Sequence, residues 1–117
     1  IYRHVGTLVE SLAAETQADC GYGAVGAVVG ATYPEQLVEL REMMPHTWFL
    51  VPGFGAQGGT AESVRSAFDD RGLGAIINSS RAIIFAHARP EYESLAEKNW
   101  LAAVEQATRD MVEQLAV

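Results

Sequence analysis

Thr47-Trp48-Phe49-Leu50-Val51-Pro52-Gly53-Phe54-Gly55-Ala56-Gln57-Gly58-Gly59-Thr60 joins an apolar, β-prone run to a loop with four glycines in seven residues. A short helix is expected beyond it, over residues 61–68, stopped by Asp70-Arg71-Gly72. The arrangement then recurs: a second strand-like run over residues 73–78 leads into Ser79-Ser80-Arg81 and another short helix. Glycines let backbone N–H groups approach an anion without side-chain obstruction. A guanidinium adds a permanent, forked positive charge. Two neighbouring strand ends, one glycine-rich and one carrying an arginine, are the parts of a phosphate-binding lip.

The same alternation extends upstream. Val5, Leu8, Val9 and Leu12 recur at helical spacing over residues 1–16. After Gly21 and Gly23, residues 24–31 form a short Val-rich run of the kind usually buried on both faces of a parallel sheet. Thr32 is a candidate N-cap, with Pro34 and Glu35 in the first turn of a helix that stops near Pro45. A long final helix is expected over residues 91–115, with Leu95, Trp100, Leu101, Val104, Met111, Val112 and Leu115 as its core positions. The order α-β-α-β-α-β-α-α implies right-handed βαβ units and a parallel sheet. Three such units make about three-eighths of a (β/α)8 barrel, which typically needs about 250 residues. The expected fold is therefore a single partial α/β domain over residues 1–117, comprising the last three β/α units (strands 6–8) and a terminal helix. Residue 1 is not Met and a helical pattern is under way at once, so an upstream segment is expected.

Composition narrows the function classes. With 49% apolar and 20% charged residues the 117-residue chain reads as globular. A net charge of −7 argues against a general nucleic-acid or anionic-membrane surface, so an anion must be held locally. No apolar run approaches the roughly 18 residues of a membrane span. The single cysteine, Cys20, excludes an internal disulfide and fits a reducing cytoplasm. His4, His46 and His87 show no metal-ligand spacing, so no metal site is expected.

The phosphate lip assigns roles. Gly58 and Gly59 are the expected backbone donors, Gln57 an amide donor, and Arg81 the bidentate partner. Ser80 and Arg81 would offer their N–H groups at the mouth of the short helix. In (β/α)8 barrels the loops after strands 7 and 8 commonly hold a phosphate in this way.

Pro52-Gly53-Phe54-Gly55-Ala56-Gln57-Gly58-Gly59, with Ala75-Ile76-Ile77-Asn78-Ser79-Ser80-Arg81-Ala82-Ile83 and Val29-Gly30-Ala31-Thr32-Tyr33-Pro34-Glu35-Gln36-Leu37, closely resembles the C-terminal part of the orotidine 5′-phosphate decarboxylases. The resemblance covers essentially the whole chain. It implies a (β/α)8 TIM barrel, a carboxy-lyase of pyrimidine (UMP) biosynthesis that converts orotidine 5′-phosphate to UMP and CO2 without metal or organic cofactor, and a cytoplasmic homodimer with shared active sites. It also implies Gln57 and Arg81 as phosphate ligands and Pro52 and Phe54 as residues lining the pyrimidine and ribose. Ser80 stands where many members carry a glycine that donates its N–H to phosphate; a serine there would be uncomfortable in left-handed backbone.

The family's catalytic centre, an alternating Asp/Lys array containing Asp-x-Lys-x-x-Asp, is missing from this sequence. The only lysine, Lys98, lies in the polar stretch Glu97-Lys98-Asn99. The chain thus carries the phosphate grip without the chemistry, and the lysine-bearing N-terminal half of the barrel is expected as its partner. Two other readings remain: another phosphate-binding barrel enzyme acting on sugar phosphates, and a non-catalytic half-barrel that binds phosphorylated ligands.

Overall fold

The apolar runs become three parallel strands in sequential order, β1 (Gly26–Val28), β2 (Trp48–Pro52) and β3 (Ala75–Asn78), in a computed structural model that describes residues 1–55 and 59–116. The register aligns Val28 with Leu50 and Leu50 with Ile76, and ends with Pro52 opposite Asn78. Helices α1 (Tyr2–Glu15), α2 (Pro34–Met43) and α3 (Ala61–Arg65) complete a first compact unit, residues 1–78. The α/β class with a parallel sheet is as expected from the sequence.

Alternation along β2 sorts the two faces of the sheet. Phe49 and Val51 are fully buried, as are Leu37 of α2, Met44 just beyond it and Val64 of α3. Burying each such side chain contributes about 1.5–3 kcal/mol. The opposite face carries Val28, Leu50 and Ile76 in one row across the register, and these are 71%, 38% and 59% exposed. The expectation that the Val-rich strand is buried on both faces is therefore corrected: within the described residues the helices cover only one.

At the amino ends of the strands, Arg41 of α2 reaches inward. Nη1 donates to the carbonyls of Ala67 (3.2 Å) and Gly74 (3.1 Å), and Nη2 donates to those of Met44 and Thr47, the latter at 2.8 Å. The guanidinium also lies 4.1 Å from the centroid of the Phe49 ring and 5.5 Å from that of Tyr22. One side chain thus ties α2 to the starts of β2 and β3. Burial holds the Arg41 pKa below its ordinary value, against the opposing fields of Tyr22, Glu10 and Asp69.

Glu10 of α1 closes the same end, accepting from the buried Thr47 hydroxyl at 2.8 Å and pairing with His46 Nδ1 at 2.5 Å. Trp48 is half-buried with its ring 4.8 Å from that of Tyr22. Cys20 sits half-buried in a turn, its carbonyl accepting from Arg71 at 2.7 Å.

Local boundaries differ where side-chain chemistry intervenes. The N-cap of α2 is Tyr33, not Thr32, with Pro34 opening the helix as expected. Helix α3 ends at Arg65, three residues early, as Ala67 and Phe68 turn tightly back on Val64 and Arg65.

The second unit, residues 79–117, contains α4 (Ser80–Ile84), two 3-10 turns (Ala86–Ala88 and Pro90–Tyr92), α5 (Glu93–Ala96) and α6 (Trp100–Leu115). The single long helix expected over 91–115 is broken because Asn99 leaves helical geometry and its side chain caps the Leu101 N–H at 3.0 Å. The buried face of α6 is Ala103, Ala107 and Met111, while Trp100, Leu101 and Val112 are exposed. Small residues let α6 approach Ala86 and Tyr92, with Leu95 and Ala96 packed alongside. Tyr92 donates to Asp110 at 2.7 Å.

Candidate active-site lip

The carboxyl ends of β2 and β3 lie side by side, and the two segments singled out in the sequence leave from them. Pro52 closes β2 opposite Asn78. Gly53 (φ 97°) and Gly55 (φ 78°) then turn the chain through left-handed backbone that favours glycine. Between them Phe54 is 5% exposed and forms an isolated parallel bridge with Gly59. The Gly55 N–H donates to the Gly59 carbonyl at 2.9 Å, and the Gly59 N–H donates to the Gly53 carbonyl at 3.3 Å.

Gly59 is required by close approach. A Cβ placed there would stand 2.8 Å from the Gly53 oxygen and 3.2 Å from the Phe54 Cα. The loop ends at Thr60, whose hydroxyl accepts from Ser63 N–H at 3.1 Å while Ser63 Oγ accepts from Thr60 N–H at 2.8 Å. This capping box, typically worth about 1 kcal/mol, fixes where the loop stops and α3 begins. Pro52, Phe54 and Gly59 are therefore brought together at one strand end. Gln57 and Gly58 lie outside the described residues.

Beyond Asn78 the chain passes through the buried Ser79 into α4, with Ser80 as its first residue and Arg81 as its second. Ser80 and Arg81 are both exposed. No described non-glycine residue has positive φ, so Ser80 sits in ordinary helical backbone and its Cβ meets no left-handed strain. The Ser79 and Arg81 carbonyls accept from the Ile83 and Phe85 N–H groups, both at 3.2 Å, closing the short helix.

The amino-end cluster was not singled out in the sequence. Asp69 accepts from the N–H groups of Arg71 (2.8 Å) and Leu73 (2.9 Å), from the Arg71 guanidinium (3.0 Å) and from the Tyr22 hydroxyl (3.0 Å). Burial alone would raise the pKa of its carboxyl, but these donors outweigh it and hold the value at about 2. Arg41 had one readable signal: it stands four residues after Leu37 and three before Met44, on the face of α2 that is buried. In (β/α)8 proteins the amino-end face serves stability and the carboxyl-end face chemistry. That division leaves the glycine-loop end as the candidate site.

Among the described residues no three His, Cys, Asp or Glu side chains come together as a metal cluster. No described helix is long and apolar enough to cross a membrane. Lys98 is exposed between α5 and α6.

No protein-family model matches the chain. It is 60% identical over 116 residues to an orotidine 5′-phosphate decarboxylase of Rhodopirellula baltica, an alignment covering 98% of this chain and 38% of that protein. A Clostridium kluyveri orotidine 5′-phosphate decarboxylase is 44% identical over 91 residues, covering 78% of this chain and 31% of that one. Among solved structures, a Toxoplasma gondii protein assigned as an orotidine-monophosphate decarboxylase superposes with a TM-score of 0.63 at 26% identity, over 97% of this chain and 43% of that one. Leishmania donovani OMP decarboxylase gives a TM-score of 0.57 at 32% identity, over 87% of this chain and 38% of that one. The chain thus spans about a third of the length of the curated relatives it matches, and over that span its sequence and its parallel α/β fold are similar to those of orotidine 5′-phosphate decarboxylases.

Proposed function

We propose that this chain is the C-terminal portion of an orotidine 5′-phosphate decarboxylase, β1–β3 being strands 6–8 of a (β/α)8 barrel, and that it supplies the substrate's phosphate grip. The observation that carries the reading is 60% identity over 116 residues to a protein of that name, spanning the glycine loop and the Ser79-Ser80-Arg81 turn. Arg81 forms a forked contact with the phosphate, and Gln57, Gly58, Gly59 and the Ser80 N–H complete the ring of donors. A phosphate taking the Gly59 N–H shares it with the Gly53 carbonyl, whose 3.3 Å bond is at the weak end of the range. Pro52 and Phe54 line the pyrimidine and ribose.

In the reaction the bond between the pyrimidine ring and its carboxylate breaks, CO2 departs, and a proton replaces it on the ring carbon. The group that stabilises the developing carbanion and delivers that proton belongs to an Asp/Lys array outside this chain. An N-terminal barrel half is therefore the necessary partner, and the active protein is a cytoplasmic homodimer. Phosphate binding remote from the reacting carbon positions the ring, which is how binding energy distant from the chemistry lowers the barrier.

The test is decarboxylation of orotidine 5′-phosphate by the full-length protein, with Arg81→Ala beside it. Loss of one charge-assisted contact, about 1.5–3 kcal/mol, should weaken UMP binding by about 10- to 150-fold. Unchanged UMP affinity would remove Arg81 from the phosphate site. Turnover of a sugar phosphate with none of orotidine 5′-phosphate would overturn the reaction assignment.

A further inference from the structure

We draw no further inference here: the strongest candidate, the apolar cavity of about 570 Å3 between the start of α1 and the open edge of β1, carries nothing, because it lies where the proposed barrel would add its next strand and nothing in the structure shows any other occupant.

Discussion

Replacing Arg41 by methionine keeps most of the apolar stem and removes the guanidinium, which isolates what that group does at the amino end of the sheet. Four carbonyls lose a donor, but not equally. Met44 and Gly74 keep backbone partners, the N–H groups of Thr47 (3.3 Å) and Phe49 (2.8 Å). Thr47 and Ala67 take the larger loss, since for them the guanidinium is the donor at 2.8 and 3.2 Å. An unsatisfied buried acceptor costs about 1–3 kcal/mol, and the contact over Phe49 adds roughly 0.5–2 kcal/mol. Relief from desolvating a charge acts in the other direction, and for buried ion pairs such relief can cancel the loss. Here it does not, because the partners are main-chain carbonyls that the substitution cannot remove. The expected net destabilisation of Arg41→Met is about 3 kcal/mol, a large share of the roughly 5–15 kcal/mol that holds a typical domain folded. Arg41→Lys should recover part of it, since an ammonium supplies charge without the fork. Denaturant unfolding of the full-length protein measures this as a shift in midpoint at constant slope. A methionine variant within 0.5 kcal/mol of the parent, or more stable than it, would refute the pinning role.

Three further outcomes follow from the geometry. Asp69 has a folded pKa of about 2 against an ordinary 3.8, so its stabilisation is complete above pH 4 and fades as pH falls towards 2. It amounts to about 2 kcal/mol; Asp69→Asn should narrow its stability gap to the parent over that window, and a gap independent of pH would contradict the assignment. Gly59→Ala forces a Cβ to within 2.8 Å of the Gly53 oxygen; under the proposed function the displaced loop should raise KM for orotidine 5′-phosphate by about tenfold or more, whereas unchanged KM would show that the loop yields without affecting the site. The isolated 117-residue chain, with its exposed Val28–Leu50–Ile76 row and open strand edges, should self-associate in solution. A monomer by light scattering that unfolds cooperatively would count against that.

The elements whose signals are local were legible from the residues alone. The β-prone run before Gly53, the start of α3 at Thr60 and the arrest of α2 before Pro45 each depend on neighbours a few positions away, and each was read in place. The reading of residues 91–115 as one helix missed the break at Asn99, because helical periodicity continues across it while the cap that interrupts it belongs to one side chain. The core of α6 was read only in part, for a different reason. Met111 is buried as expected, but size and hydropathy also favoured Trp100, Leu101 and Val112, which are exposed, while the rest of the packed face is Ala103 and Ala107, where small side chains permit close approach. Of the candidate site, the residue types and their order along the chain were apparent, together with the family resemblance.

By itself the sequence determined the alternation of strands and helices, the glycine loop, the Ser79-Ser80-Arg81 turn and the absence of an Asp/Lys array, because each is written in contiguous residues. Only the tertiary structure decided that Pro52 ends opposite Asn78, that one face of the sheet is covered while Val28, Leu50 and Ile76 are bare, and that Arg41 points into the sheet's amino end. Register and burial depend on strands tens of residues apart meeting in space, and a guanidinium finds its carbonyls only once that meeting has occurred.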